Sequence, residues 1–254
     1  MNLDFYNWFL VFIRLGAFLL ALPFFSAVTF PPTMRVALAG LTSLLLAPQL
    51  PAFPIAHLDF FSLVGLLARE VSIGLLLGFI GRLVFFSADL AGQIVATELG
   101  LNMGQIMDPT SAQSEQVPSL ILFFLATLTM LSLDLHHGML LGFARTFEVL
   151  PLGSGHLSPS LFEQMIPRIS AIFMIALQMA APVMAVSFAI TVFFAVMGRA
   201  VPQMNVFAES FGLKIAAGLV VFGFTLQIAS QYVSNQLHRL PDDLVFIGQV
   251  LNGG

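Results

Sequence analysis

The sequence predicts an all-α integral membrane protein, and three observations carry that reading. Hydrophobic residues fill 58% of the 254 positions and charged residues only 9%, whereas a soluble domain carries about a quarter charged residues to keep its surface wetted. Mean hydropathy is +0.97. Residues 36–58, 116–133, 169–198 and 215–238 contain no Asp, Glu, Lys or Arg; each is near or beyond the roughly 20 residues needed to cross about 30 Å of hydrocarbon. The same composition excludes a soluble cytoplasmic enzyme and a disordered or collagen-like chain. A net charge of −4 gives no footprint for nucleic acid. The absence of Cys excludes disulfides, thiolate metal sites and thiol catalysis.

Taken in order, the first helix is expected over Phe5–Leu22. Residues 1–13 carry only Asp4 as a charge and Arg14 lies inside the apolar run. A cleaved signal places its positive charge ahead of that run, so this helix is read as retained. Pro23 ends it and Pro31-Pro32 mark a loop, because proline cannot continue a helix interior. In residues 36–58, Pro48, Pro51 and Pro54 place the end of the next helix near Ala47. The apolar stretch 169–198 has Pro182 near its middle and is expected to be one long kinked helix. Hydropathy counts about six segments in all.

Residues 60–104 do not fit a simple span. They lack proline and permit nearly continuous helix, about 68 Å long at ~1.5 Å per residue, more than twice the hydrocarbon thickness. They also hold Arg69, Glu70, Arg82, Asp89 and Glu98, charges that belong against protein or water rather than lipid. Two outcomes are expected together: a break near Gly81 or Gly92, and a part lying outside lipid within an assembly. Ala88, Gly92, Ala96, Gly100 and Gly104 recur every four residues, and Gly74, Gly78 and Gly81 form a second series. Small residues at this spacing admit a close backbone neighbour, within the chain or from a partner.

Residues that carry chemistry are few. Asp134, His136 and His137 end an apolar segment, but adjacent helical positions point about 100° apart, and neither histidine has a carboxylate at i+4. A helix leaving the apolar layer explains them better than a metal or a catalytic centre. Arg14, Arg69, Glu70 and Arg82 fit either a transporter's charge sites or interhelical bonding inside an assembly, and the second is favoured. Phosphate loops, Ser-His-Asp sets and paired catalytic carboxylates are not recognisable. No cofactor and no catalysis are expected.

Two polar interruptions remain. The first runs from Gly100-Leu101-Asn102-Met103-Gly104 through Gln105-Ile106-Met107-Asp108-Pro109 to Val117-Pro118. It is long for a connection between two helices, and long loops tend to be functional; its Met side chains are unbranched and adaptable. The second runs from Gly198-Arg199-Ala200-Val201-Pro202-Gln203-Met204-Asn205-Val206-Phe207 to Lys214. It joins two apolar stretches into a hairpin whose basic residues can snorkel.

Along essentially its whole length the chain resembles the FliR family of flagellar export-gate proteins, whose virulence-secretion counterparts are SctT, YscT and SpaR. The residues that carry the resemblance are Gly100 to Gly104 with Asp108-Pro109, His137 through Phe147 to Leu150-Pro151-Leu152-Gly153, and above all Arg199-Ala200-Val201-Pro202-Gln203-Met204-Asn205-Val206-Phe207. The chain departs from the family after Phe207, where it reads Ser210-Phe211-Gly212. The resemblance implies a non-enzymatic gating and structural subunit, one copy with several FliP-type and FliQ-type subunits in a helical cone. FlhB- and FlhA-type proteins, unfolded export substrates and membrane lipid would be its other partners. It implies a location in the bacterial inner membrane at the flagellar basal body, with part of the assembly raised toward the periplasm.

Residues 1–160 would then be a FliP-like portion with a plug loop near 105–117, and 161–254 a FliQ-like hairpin with a polar turn near 199–214. Carried over by position, Met103, Gln105, Ile106, Met107, Asp108 and Pro109 become gate residues, and Arg199, Pro202, Gln203, Asn205 and Lys214 contact partners. Gly92, Ala96, Gly100 and Gly104 are the expected helix-packing positions. The alternatives weighed against this are an injectisome subunit, a small-molecule or ion transporter using Arg14, Glu70 and Arg82, and an intramembrane enzyme around His136 and His137.

Overall fold

A computed structural model describes residues 5–26, 30–53, 59–102, 116–156 and 159–253. The described residues form helices and connections and contain no strand: α1 (Phe5–Ala21), α2 (Pro23–Ser26), α3 (Pro32–Leu46) with a 3-10 turn at Ala47–Gln49, α4 (Phe60–Glu98), α5 (Val117–Ser132), α6 (Leu135–Val149), α7 (Pro159–Ala200) and α8 (Val206–Leu251). The proline punctuation acts as expected. α1 stops two residues before Pro23, and α3, with proline in its first turn, closes at Leu46.

Among the described residues, α4, α7 and α8 are long and apolar enough to cross a membrane, and α5 with α6 makes a fourth if counted as one broken span. This is fewer than the six segments counted from hydropathy. α1 has 17 residues and α3 has 15, whereas α7 and α8 grow to 42 and 46 by absorbing charged flanks.

One further expectation is corrected. α4 runs unbroken through Gly81 and Gly92 for 39 residues, about 58 Å. Packed neighbours fill the space that each glycine leaves, and this holds the helix where its intrinsic propensity is poor. α7 is one long helix through Pro182, as the apolar stretch 169–198 leads one to expect.

The chain divides into two compact units, each drawn from several stretches. The first comprises Met1–Leu83, Asp134–Arg168 and Leu237–Gly254. In it α1 is the hub. Its inner face, including Leu10, Val11, Leu15 and Phe18, is essentially sealed from solvent. Gly74 and Gly78 of α4 lie against the backbone carbonyls of Arg14 and Phe18, where an added methyl would strike Ala17 or Ala21. On another side of α1, the Phe18 and Phe143 rings meet at 4.7 Å. Trp8 donates to the Gly40 carbonyl of α3 at 3.2 Å. Asn7 is fully buried: it donates to the Pro51 carbonyl and accepts from the Phe53 N–H, both at 2.9 Å.

The C-terminal end of α8 closes this unit. α8 carries Pro241 in its interior, and α6 meets it with Gly142, where an added methyl would come within 2.7 Å of the Pro241 Cα. Arg168 pairs with Asp243 and lies over the Phe246 ring at 4.9 Å.

The second unit comprises Val84–Leu133 and Ile169–Gln236. It contains the C-terminal half of α4, α5, and the hairpin formed by α7 and α8. Phe85 packs on Phe123 and Phe86 on Phe173. Gly218 of α8 receives the Leu99 side chain.

Candidate functional site

The site is assembled in the second unit from helix ends, starting where α4 stops. Gly100 has φ +70°, a conformation that glycine adopts without the Cβ penalty. The Leu101 N–H bonds back to the Ala96 carbonyl at 2.9 Å and the Gly100 N–H to the Thr97 carbonyl at 3.0 Å. This is the paired closure that satisfies the last carbonyls of a helix. Ser187 of α7 adds a hydroxyl bond to the Glu98 carbonyl at 3.1 Å, and the Phe211 ring of α8 covers Gly100. Gly100 is therefore a helix stop as well as a close-packing position.

Residues 103–115 follow, so Met103, Gly104, Gln105, Ile106, Met107, Asp108 and Pro109 lie outside the described residues. The chain returns at α5, which has proline in its first turn. There Pro118 and Ser119 sit on Gly92, whose missing side chain lets the two backbones touch. Ser119 also donates its hydroxyl to the Asp89 carbonyl at 3.1 Å. Ala96, one turn further along α4, is fully buried. Both stems of the 103–115 segment are thus anchored on the last three turns of α4.

The hairpin turn is built from its own residues. The Met204 N–H bonds to the Val201 carbonyl at 3.1 Å, with Pro202 at the second position of the turn, where its fixed φ is favoured. Asn205 caps α8: its side-chain oxygen accepts from the Ala208 N–H at 3.3 Å, satisfying one of the orphan donors of the first turn. Arg199 lies in the last turn of α7, where a cation meets the negative end of the helix dipole. Gly198 makes room for the Val206 side chain. Arg199, Pro202, Gln203 and Asn205 are exposed and Lys214 is half-buried. The turn is therefore closed by its own hydrogen bonds and leaves Arg199, Gln203 and Asn205 exposed beside Val201 and Phe207. The Ser210-Phe211-Gly212 departure falls inside continuous α8, with Phe211 turned onto Gly100.

The first unit contains a constellation that the sequence did not assemble. Arg14 and Glu70 are both fully buried. Arg14 Nε reaches Glu70 Oε2 at 2.5 Å and Nη2 reaches Oε1 at 3.1 Å. The guanidinium also donates to the Leu150 carbonyl at 2.8 Å and the Pro151 carbonyl at 3.3 Å, and it lies 4.6 Å from the Phe147 ring centre. Glu70 in turn accepts from the Gly153 N–H at 2.8 Å, while Arg69 donates to the Gly153 carbonyl. One bidentate pair thus fixes α1, α4 and the chain leaving α6. The only signal in the sequence was the presence of two opposite charges inside apolar runs.

At the start of α6, Asp134 adopts a left-handed conformation with φ 53°. This brings its carboxylate to the two histidines despite their sequence spacing: one potential ligand atom from each of Asp134, His136 and His137 lies within 4.8 Å of the others. The cluster is mostly exposed, and His137 Nδ1 stands 3.7 Å from Asp134 Oδ1. An acidic residue at a helix N-terminus is stabilised by the dipole without any ion.

These elements define an all-α membrane protein whose polar segments are mounted on capped helix ends. The chain belongs to the bacterial export proteins, family 1, whose model matches residues 5–240. It is similar to the flagellar biosynthetic protein FliR of Bacillus subtilis, at 29% identity over 89% of this chain and 88% of the relative. The FliR of Escherichia coli is 26% identical over 96% and 93%, and that of Aquifex aeolicus 28% over 89% and 87%.

Proposed function

We propose that this chain is a structural and gating subunit of a flagellar type III protein export apparatus, lining and plugging a channel for unfolded flagellar proteins and catalysing no reaction. Family membership and relatives named as flagellar biosynthetic proteins supply the context. The observation that carries the gating reading is the anchoring of both stems of residues 103–115 on α4, through Gly100 and through Ser119 on Gly92 and Asp89. A plug must move at its tip and be fixed at its base, and these stems supply the base. Met103, Gln105, Ile106, Met107, Asp108 and Pro109 are proposed as the gate.

In this reading residues 1–160 act as a FliP-like portion and 161–254 as a FliQ-like hairpin. Arg199, Pro202, Gln203, Asn205 and Lys214 meet FliQ-type or FlhB-type partners. A single copy joins several FliP- and FliQ-type subunits in the inner membrane at the basal body, partly raised toward the periplasm. The exposed apolar faces of α7 and α8, such as Phe188, Val196 and Phe224, suit helix neighbours or lipid.

The test is the intact mass of the tagged chain co-expressed with its FliP- and FliQ-type partners and extracted in mild detergent. A discrete hetero-oligomer with one copy of this chain is expected; a monomer or homo-oligomer beside unbound partners overturns the assembly reading. Within the assembly, shortening residues 105–117 is expected to make the gate leak ions. Unchanged conductance would remove the plug role.

A further inference from the structure

We propose that Arg82 is the docking residue of an interface with another subunit, and that a carboxylate on that subunit's helix pairs with it. The proposal rests on the assembly reading above and adds to it the chemistry of one contact. In α4, Gly65, Ala68, Ser72, Leu75, Phe79 and Arg82 are all exposed. They are spaced by three or four residues and so form one face of the helix. The face carries small residues at Gly65, Ala68 and Ser72, apolar ones at Leu75 and Phe79 and a guanidinium at Arg82, and exposed Phe61 and Phe86 continue it at either end. Leu75 and Phe79 are each 40% exposed, a large uncovered apolar surface beside a charge.

Residues 71–88 hold Arg82 as their sole charge and are long enough, about 27 Å, to match the hydrocarbon thickness. Three other arginines of this unit are met within the chain: Arg14 by Glu70, Arg168 by Asp243, and exposed Arg69 by the Gly153 carbonyl. Arg82 has no hydrogen bond or ion pair among the described residues. The nearest acid toward the N-terminus is Glu70, which Arg14 already occupies.

A helical Cα–Cβ bond tilts toward the N-terminus, so the Arg82 side chain leaves α4 beside the apolar run that contains Phe79. A neighbour that covers this face must also meet the charge. A carboxylate matches the planar fork with two parallel bonds and neutralises it. Small residues preceding Arg82 on the same face let a helix approach closely enough to deliver that group.

The experiment is co-purification of charge variants with the FliP- and FliQ-type partners. Arg82→Glu is expected to lower the yield of hetero-oligomer at least tenfold, while Arg82→Lys stays within about threefold of wild type. The partners' helical Asp and Glu residues are then changed singly to Arg in the Arg82→Glu background, and one of them is expected to restore the yield. Arg82→Glu assembling like wild type, or no exchanged charge restoring it, overturns the proposal. Circular dichroism of the Arg82→Glu chain alone in detergent checks that its helices survive, and the exchange restores yield only if a specific pair exists. A wild-type chain that forms no hetero-oligomer defeats the assembly reading itself, and this inference with it.

Discussion

Replacing Glu70 with Leu tests the central joint of the first unit. The change removes both carboxylate bonds to Arg14, at 2.5 and 3.1 Å, and the acceptor for the Gly153 N–H at 2.8 Å. Arg14 keeps the Leu150 and Pro151 carbonyls but remains fully buried with an uncompensated charge. Breaking a buried pair in this way costs about 3–5 kcal/mol. For a chain of this size that lowers the melting temperature by about 6–20 °C, taking ~2–4 °C per kcal/mol. The double variant Arg14→Met with Glu70→Leu removes both desolvation penalties and fills the space with apolar groups, so it is expected to recover most of the loss. The assay is thermal unfolding of the detergent-solubilised chain followed by circular dichroism, for wild type, both single variants and the double. Glu70→Leu within about 1 kcal/mol of wild type, or a double variant as unstable as the summed singles, would refute the reasoning; the second result would show that the two residues do not interact.

Three further outcomes follow from the helix ends. Asn205→Ala removes the cap of α8 and is expected to cost about 1 kcal/mol, read as faster amide exchange at Val206 to Glu209 with little change elsewhere. Gly100→Ala forces a side chain into φ +70° and against Phe211, and should cost about 1–2 kcal/mol; protection lost at Leu101 and Phe211 but kept in α1 would check it. Gly92→Leu drives a side chain into the backbone of Pro118 and Ser119, an overpacking of about 1–3 kcal/mol. In the assembled complex it should increase ion conductance without shortening the loop.

Local signals in the sequence were accurate where they act over a few residues. Pro23 and Pro48 mark the ends of α1 and α3, since a missing N–H and a fixed φ act on the adjacent turn whatever surrounds them. Gly81 and Gly92 misled for the opposite reason. A glycine weakens a helix by about 1 kcal/mol, which packing easily exceeds, and here Leu22 with Met139 and the Ser119 backbone fill those positions. Gly100 belonged to a regular four-residue series, and its period hid a helix stop that only its positive φ and the bonds to Ala96 and Thr97 reveal. At Asp134, a left-handed residue brought together groups that helical spacing keeps apart.

The sequence by itself determined that this is an all-α membrane protein, because too few charged residues exist to wet a globule, and its motifs determined the family through residues that lie close together along the chain. Only the tertiary structure decided which charges are joined. Arg14 and Glu70 stand 56 residues apart and meet because Gly74 and Gly78 let α4 lie against α1. Arg82, a second arginine and on α4 with Glu70, has no hydrogen bond or ion pair among the described residues. Capping and proline effects are decided within one turn, whereas the partner of a buried charge depends on which helices pack together, and that is a property of the whole fold.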